Sequence, residues 1–186
     1  MYGSDKTLLD LVTSLDRSMY RPIVLLPCTG PLYDCLNDKN IEVHVTPIVK
    51  LSRATLSLGG MLRLPFELVK NIKEISAILL EQNIDIVHSN TLAVLGGAAW
   101  SLINRKKHLW HVHEIIHSPR FVGKVYAVLL NMLSDAVVCN SHATRDWCVG
   151  NLRALEKKTY VVWNGLDRTE SVMQGTEVQI RESIGA

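Results

Sequence analysis

Six short apolar runs rich in Val and Ile alternate with longer stretches of helical periodicity, and that alternation constrains the fold of this chain more than any single motif. The runs lie at residues 22–27, 43–47, 84–88, 108–113, 136–140 and 159–163. Several show no polar alternation, as expected of parallel strands covered on both faces. Between them, residues 5–15 carry Leu8, Leu11, Val12 and Leu15 on one helical face, with Ser4 as the expected N-cap. Gly30-Pro31 opens a short helix through Asp38, and residues 65–82 carry Leu68, Ile72, Ile75 and Leu79 at helical spacing. Thr91 is expected to cap a helix over residues 92–103, and Ser141 one over 143–155, with a further helix at 124–133. Strands and helices in this order give an α/β fold, a doubly wound parallel sheet with right-handed crossovers. Residues 49–60 carry mixed signals and are expected to form a mobile connection. The domain is expected to span residues 1–167, with 168–186 a linker or helix leaving it.

Composition narrows the function classes. At 186 residues the chain suits one packed domain, and 47% hydrophobic with 20% charged residues places it among globular proteins. A net charge of +2 and scattered basic residues give no footprint for nucleic acid. The densest basic run, Arg105-Lys106-Lys107, reads as the solvated end of a helix. Cys28, Cys35, Cys139 and Cys148 form no CxxC pair and no metal-ligand spacing with histidine. Cys28 and Cys139 lie in apolar runs, where a free thiol behaves as a small hydrophobe. Met1-Tyr2-Gly3-Ser4-Asp5-Lys6 lacks the apolar core of a secretory leader, and the apolar stretch 91–103 is too short to span a bilayer. A reducing, cytoplasmic setting is therefore expected.

The chemistry-bearing residues cluster where strand runs end. Trp110-His111-Val112-His113-Glu114-Ile115 closes an apolar run, and in open α/β sheets ligands bind beyond the carboxyl ends of strands. Alternation puts His111 and His113 on one face. A neutral His113 there can bond a sugar hydroxyl or orient an acceptor, and the bland alternative is a histidine satisfied by a loop carbonyl. No supporting Cys, His or carboxylate stands at helical spacing, so no metal is expected. His88-Ser89-Asn90 ends another run, as a ligand contact or as a plain turn. Gly3-Ser4 before the first helix permits close backbone approach, although a simple helix start explains it better. Asn140-Ser141 leads into a helix on which Arg145 can face an anion. Asn164-Gly165 is a turn signal.

In this order and spacing, these residues resemble the N-terminal domain of the retaining GT-B glycosyltransferases of family 4. Gly3-Ser4-Asp5-Lys6-Thr7-Leu8-Leu9-Asp10-Leu11 looks like the family's glycine loop and first helix. Asp85-Ile86-Val87-His88-Ser89 is similar to its D-[IV]-[IV]-H strand, and Trp110 to Glu114 to its mid-domain histidine motif. Ser134-Asp135-Ala136-Val137-Val138 with Asn140-Ser141, then Val161-Val162 with Asn164-Gly165-Leu166-Asp167, resemble the run into its hinge. The resemblance implies a Rossmann-like domain of a two-domain enzyme that moves a sugar from a nucleotide-sugar donor, with retention and without a cofactor, to a saccharide or lipid-linked acceptor. It implies His113 as the catalytic contact and Gly3 beside the donor phosphates and the reacting sugar; from their places at strand and helix ends, Ser4, His88, Glu114, Asn140 and Arg145 are expected as further substrate-binding residues. Asn164, Gly165 and Asp167 would mark the hinge.

The family also begins with a strand before its glycine loop, whose loss would leave neighbouring strands with unpaired edges. Its donor-binding domain carries two glutamates separated by seven residues and an Arg/Lys pair. Neither part lies within these 186 residues, so an acceptor-side fragment, inactive alone, is expected. The alternative is a non-catalytic saccharide- or partner-binding module. A nucleotide-sugar epimerase is a third reading, and a dehydrogenase is disfavoured because GxGxxG is missing. Self-association through open sheet edges is a further expectation. So is peripheral contact of residues 51–70 with the inner face of a membrane, because Arg53, Arg63 and Lys70 are interleaved there with Leu, Met and Phe.

Overall fold

The structure, a computed structural model, describes residues 3–51, 55 and 57–165. Helix α1 (Gly3–Ser14) is followed by β1 (Ile23–Leu26), α2 (Pro31–Asp38) and β2 (Glu42–Val45). Then come α3 (Leu58–Ile78), β3 (Ile86–Ser89), α4 (Gly96–Ile103), β4 (Lys107–Val112), α5 (Arg120–Leu133), β5 (Ala136–Cys139), α6 (His142–Asn151) and β6 (Thr159–Val161). A 3-10 turn, Arg153–Lys158, joins α6 to β6. All strand pairs are parallel, as the apolar runs predict, but they fall into two sheets. One is β1-β2 and the other is β3-β4-β5-β6. Among the described residues β1 pairs only with β2 and β3 only with β4, so each presents an open edge. The expected domain end at 167, the hinge residue Asp167 and the segment 168–186 lie outside the described residues.

Two cores follow from this division. Val12 of α1 packs with Val24, Leu26, Leu36 and Ile41 around β1-β2. The larger core seats Trp110 and Val112 of β4 and Val137 and Cys139 of β5 against Ala98, Ala127, Leu130 and Cys148 from α4, α5 and α6. Strand alternation therefore turns His111 to the opposite face of the sheet from Trp110. Cys139 and Cys148 are buried thiols 3.9 Å apart, acting as core filler. Cys28, expected in a strand, instead lies beyond the end of β1 and is exposed.

Several element starts differ from expectation. Helix α1 begins at Gly3, so Ser4 sits in its first turn and not at its cap. Helix α3 begins at Leu58, seven residues before Pro65. Ser57 caps it, its hydroxyl accepting from the Gly60 amide at 3.2 Å. Pro65 is exposed, so water can serve the Met61 carbonyl that loses its helical donor. Residues 49–51 are pinned: Lys50 bridges Val94, Leu51 N–H donates to the Ala93 carbonyl (2.8 Å) and Leu95 N–H to the Val49 carbonyl (3.0 Å). That bridge occupies the backbone of residues 93–95, so α4 starts at Gly96 and Thr91 lies in the preceding turn. The Arg105-Lys106-Lys107 run ends no helix. Arg105 and Lys106 lie beyond α4, and Lys107 opens β4 with its ammonium 2.7 Å from Asp135. Ser141 does cap α6, accepting from the Thr144 amide at 3.2 Å, but the helix stops at Asn151.

Candidate functional site

The carboxyl ends of β3 and β4 bring together Asn90, His113, Glu114 and the amino end of α1. The Ser4 carbonyl accepts from the Asn90 side-chain amide at 2.8 Å, a link between residues 86 positions apart. A carbonyl only accepts, so that contact identifies the Asn90 nitrogen and leaves its oxygen toward His113. His113 Nε2 lies 3.4 Å from Asn90 Oδ1 and must therefore carry the proton. Nδ1 is left as the acceptor nitrogen of a neutral ring. A Cβ built on Gly3 meets no atom within 4 Å, so there is open space beside the backbone at Gly3.

Glu114 acts on the backbone. Its Oε2 accepts from the Leu92 and His113 amides, each at 3.3 Å, and ties the ends of β3 and β4 together. Asn140 stands at the end of β5, its amide donating to the Val112 carbonyl at 3.3 Å. Its Oδ1 accepts from the Thr144 hydroxyl at 2.8 Å. Arg145 meets carboxylates: its guanidinium lies 3.4 Å from Asp146 and 4.0 Å from Glu156. Asn164 and Gly165 follow β6, where Trp163 sets its ring against His142 at 5.4 Å.

Three histidine rings form a file on this face. His111 lies between His88, 5.6 Å away, and His113, 4.0 Å away. His111 is buried, and its Nε2 has no hydrogen-bond partner among the described residues. Burial pushes its pKa down to about 3, with His113 and His88 adding to the effect. Burial likewise holds His113 below its ordinary value, partly opposed by Glu114. His88 is lowered mainly by desolvation within the file, then by His108 and His113. The residue as a whole is exposed, so its protonation weighs little on stability. All three rings are neutral near pH 7. No group of three or more His, Cys, Asp or Glu side chains is arranged to hold a metal ion among the described residues.

The bland histidine of the sequence is His108, which motif reading passed over. Its Nδ1 donates to the Leu133 carbonyl at 2.7 Å and its Nε2 accepts from the buried Ser89 hydroxyl at 2.9 Å. Its place at the start of the apolar run, away from the carboxyl end of the strand, is the signal that marks a core role. Asn90 and Ser4 become partners only through tertiary structure, and nothing local announces it.

A family model described as Glycosyltransferase Family 4 matches residues 2–170. Among solved structures, Anabaena Alr3699/HepE in complex with UDP-glucose is similar at 21% identity and a TM-score of 0.65, over 97% of this chain and 47% of that one. A glycosyltransferase from Rickettsia africae ESF-5 is similar at 18% identity and a TM-score of 0.66, over 95% of this chain and 46% of that one. The chain thus spans slightly less than half the length of the structures it matches. No curated protein matches it in sequence. With parallel sheets, the histidine-bearing strand ends and a family match across nearly all of its length, the chain belongs to glycosyltransferase family 4 and folds as the N-terminal domain of a GT-B protein.

Proposed function

We propose that this domain is the acceptor-side half of an enzyme that transfers a sugar from a nucleotide-sugar to a saccharide or lipid-linked acceptor, with retention and without a cofactor. The observation that carries the reading is the Ser4–Asn90–His113 chain of contacts, which presents a neutral imidazole acceptor at the strand ends. Nδ1 of His113 accepts a hydroxyl of the transferred sugar or of the acceptor and orients it. Asn90 positions the ring, Glu114 fixes the backbone beneath it, and the open space beside Gly3 admits the reacting sugar. His88 borders the same face, and Asn140 stands at the next strand end. Asn164, Gly165 and Asp167 lead toward a donor-binding domain, whose phosphate contacts must act together with this half.

The test joins this domain to a family donor-binding domain and measures transfer from nucleotide-sugars. His113→Ala is expected to lower kcat by about a hundredfold, the scale of one lost oriented hydrogen-bonding group. Asn90→Leu frees the ring to change tautomer and is expected to lower kcat by about tenfold with KM little changed. An active joined protein in which His113→Ala transfers at the wild-type rate would overturn the assignment.

A second reading, a non-catalytic saccharide- or partner-binding module, is favoured by the exposed side chains Tyr160, Val162 and Trp163 at the end of the second sheet. Saccharide binding with no nucleotide affinity in any pairing would select it.

A further inference from the structure

Helix α3 has two apolar faces, and among the described residues only one of them is packed. Asn71 and Ile75 are buried on the inner face, with Leu64 and Leu68 half-buried beside them. The outer face leaves Met61 59%, Leu62 70%, Phe66 78% and Val69 53% exposed, with Pro65 exposed among them. At about 100° per residue these five side chains span an arc of roughly 140°. The charges are not scattered around the remainder. Lys73 lies inside the border of the arc, and Lys70 and Arg63 follow roughly 40–60° beyond it. Glu74 and Glu67 come only farther round, and the Lys70–Glu74 pair at 3.9 Å is exposed on the lysine side. Cations therefore rim the apolar strip on its solvent side, while the acids sit back from it. A helix 21 residues long with a bulky apolar strip edged by basic residues has the form of one lying in a bilayer interface. No helix is long and apolar enough to cross a membrane among the described residues.

We propose that the outer face of α3 docks on a bilayer carrying anionic lipid, with Leu62 and Phe66 entering the acyl boundary and Arg63, Lys70 and Lys73 at the headgroups. A protein partner with an apolar groove would want the strip but gains little from a cationic rim that a negative lipid surface matches. The inference stands apart from the transfer reading, because it needs neither donor nor acceptor.

The test is co-sedimentation of the 186-residue chain with vesicles of phosphatidylglycerol and phosphatidylcholine, against vesicles of phosphatidylcholine alone. Binding to the anionic vesicles at low salt is expected, weakening steeply toward about 0.5 M salt. Leu62→Ser with Phe66→Ser removes two exposed anchors, so folding is spared while partition falls at least about tenfold. Arg63→Glu with Lys73→Glu should abolish the preference for anionic over neutral vesicles. Absence of sedimentation overturns the proposal, as does equal partition by the wild type and the Leu62/Phe66 variant. Concentration-dependent self-association that the Leu62/Phe66 variant abolishes, without vesicle binding, overturns it in favour of a second copy of the chain.

Discussion

Acidification from pH 6.5 toward pH 3 is expected to destabilise this domain on the order of 4 kcal/mol through His111 alone, before any carboxylate is counted. The unfolded ring binds its proton near 6.5, whereas burial holds the folded ring to about 3. Between those values the unfolded chain carries the extra proton, so stability falls as pH falls. It is fully present above 6.5 and has been spent once the folded ring also charges. Each tenfold difference in proton affinity is worth about 1.4 kcal/mol, which sets the magnitude. His113 acts in the same direction. Protonating His111 would place a cation between His88 and His113, with its Nε2 unpartnered in the buried file. The measurement is thermal unfolding against pH for the wild type and His111→Leu. The wild-type curve should drop more steeply below pH 6.5, and parallel curves would show that the buried ring is not the acid-sensitive element. Near neutral pH the same physics keeps the file uncharged, the state that leaves His113 Nδ1 free to accept.

The placement of that file was legible because a strand has a period of two, so His111 and His113 share a face whatever the tertiary structure. The strand runs were legible for a similar reason: a β-branched apolar run bounded by turn residues has few other uses in a chain of alternating elements. What escaped local reading depends on partners far away in sequence. Glu114 reads as a ligand contact beside His113, and the sequence does not reveal that its Oε2 also accepts from a backbone amide 22 residues earlier. Arg145 looks like an anion site at a helix start, and finds Glu156 across the following turn. Helix α3 begins before its sequence signal does, because Gly59, Gly60 and Pro65 each signal a break. A Ser57 cap and a solvent-facing proline offset those local costs. Residues 49–51 looked loose because their bridge to residues 93–95 joins segments more than forty positions apart.

Gly96→Ala is expected to cost about 3 kcal/mol, the upper end of overpacking, and to do so through Asn71. A Cβ at Gly96 would stand 2.0 Å from Asn71 Oδ1 and 3.2 Å from its Cγ. Asn71 is buried and cannot swing aside cheaply. Its Oδ1 accepts from the Val49 amide at 3.3 Å and its Nδ2 donates to the Pro47 carbonyl. The glycine is thus required by close approach of α4 to α3, and the same contact holds the segment that pins residues 49–51 against 93–95. Asn71→Ala should be costly by itself, since it removes the buried side chain that pairs the Pro47 carbonyl and the half-buried Val49 amide. Combined with Gly96→Ala, however, it removes the clash, so the double variant should be more stable than the sum of the single losses predicts, by about 1 kcal/mol or more. Chemical denaturation of the four proteins reads the coupling directly. A strictly additive cycle would mean that α4 relaxes away from α3 without Asn71 resisting. Gly96 would then be a tolerated helix glycine and not the point where the sheet-side helices lock to the long connection before α3.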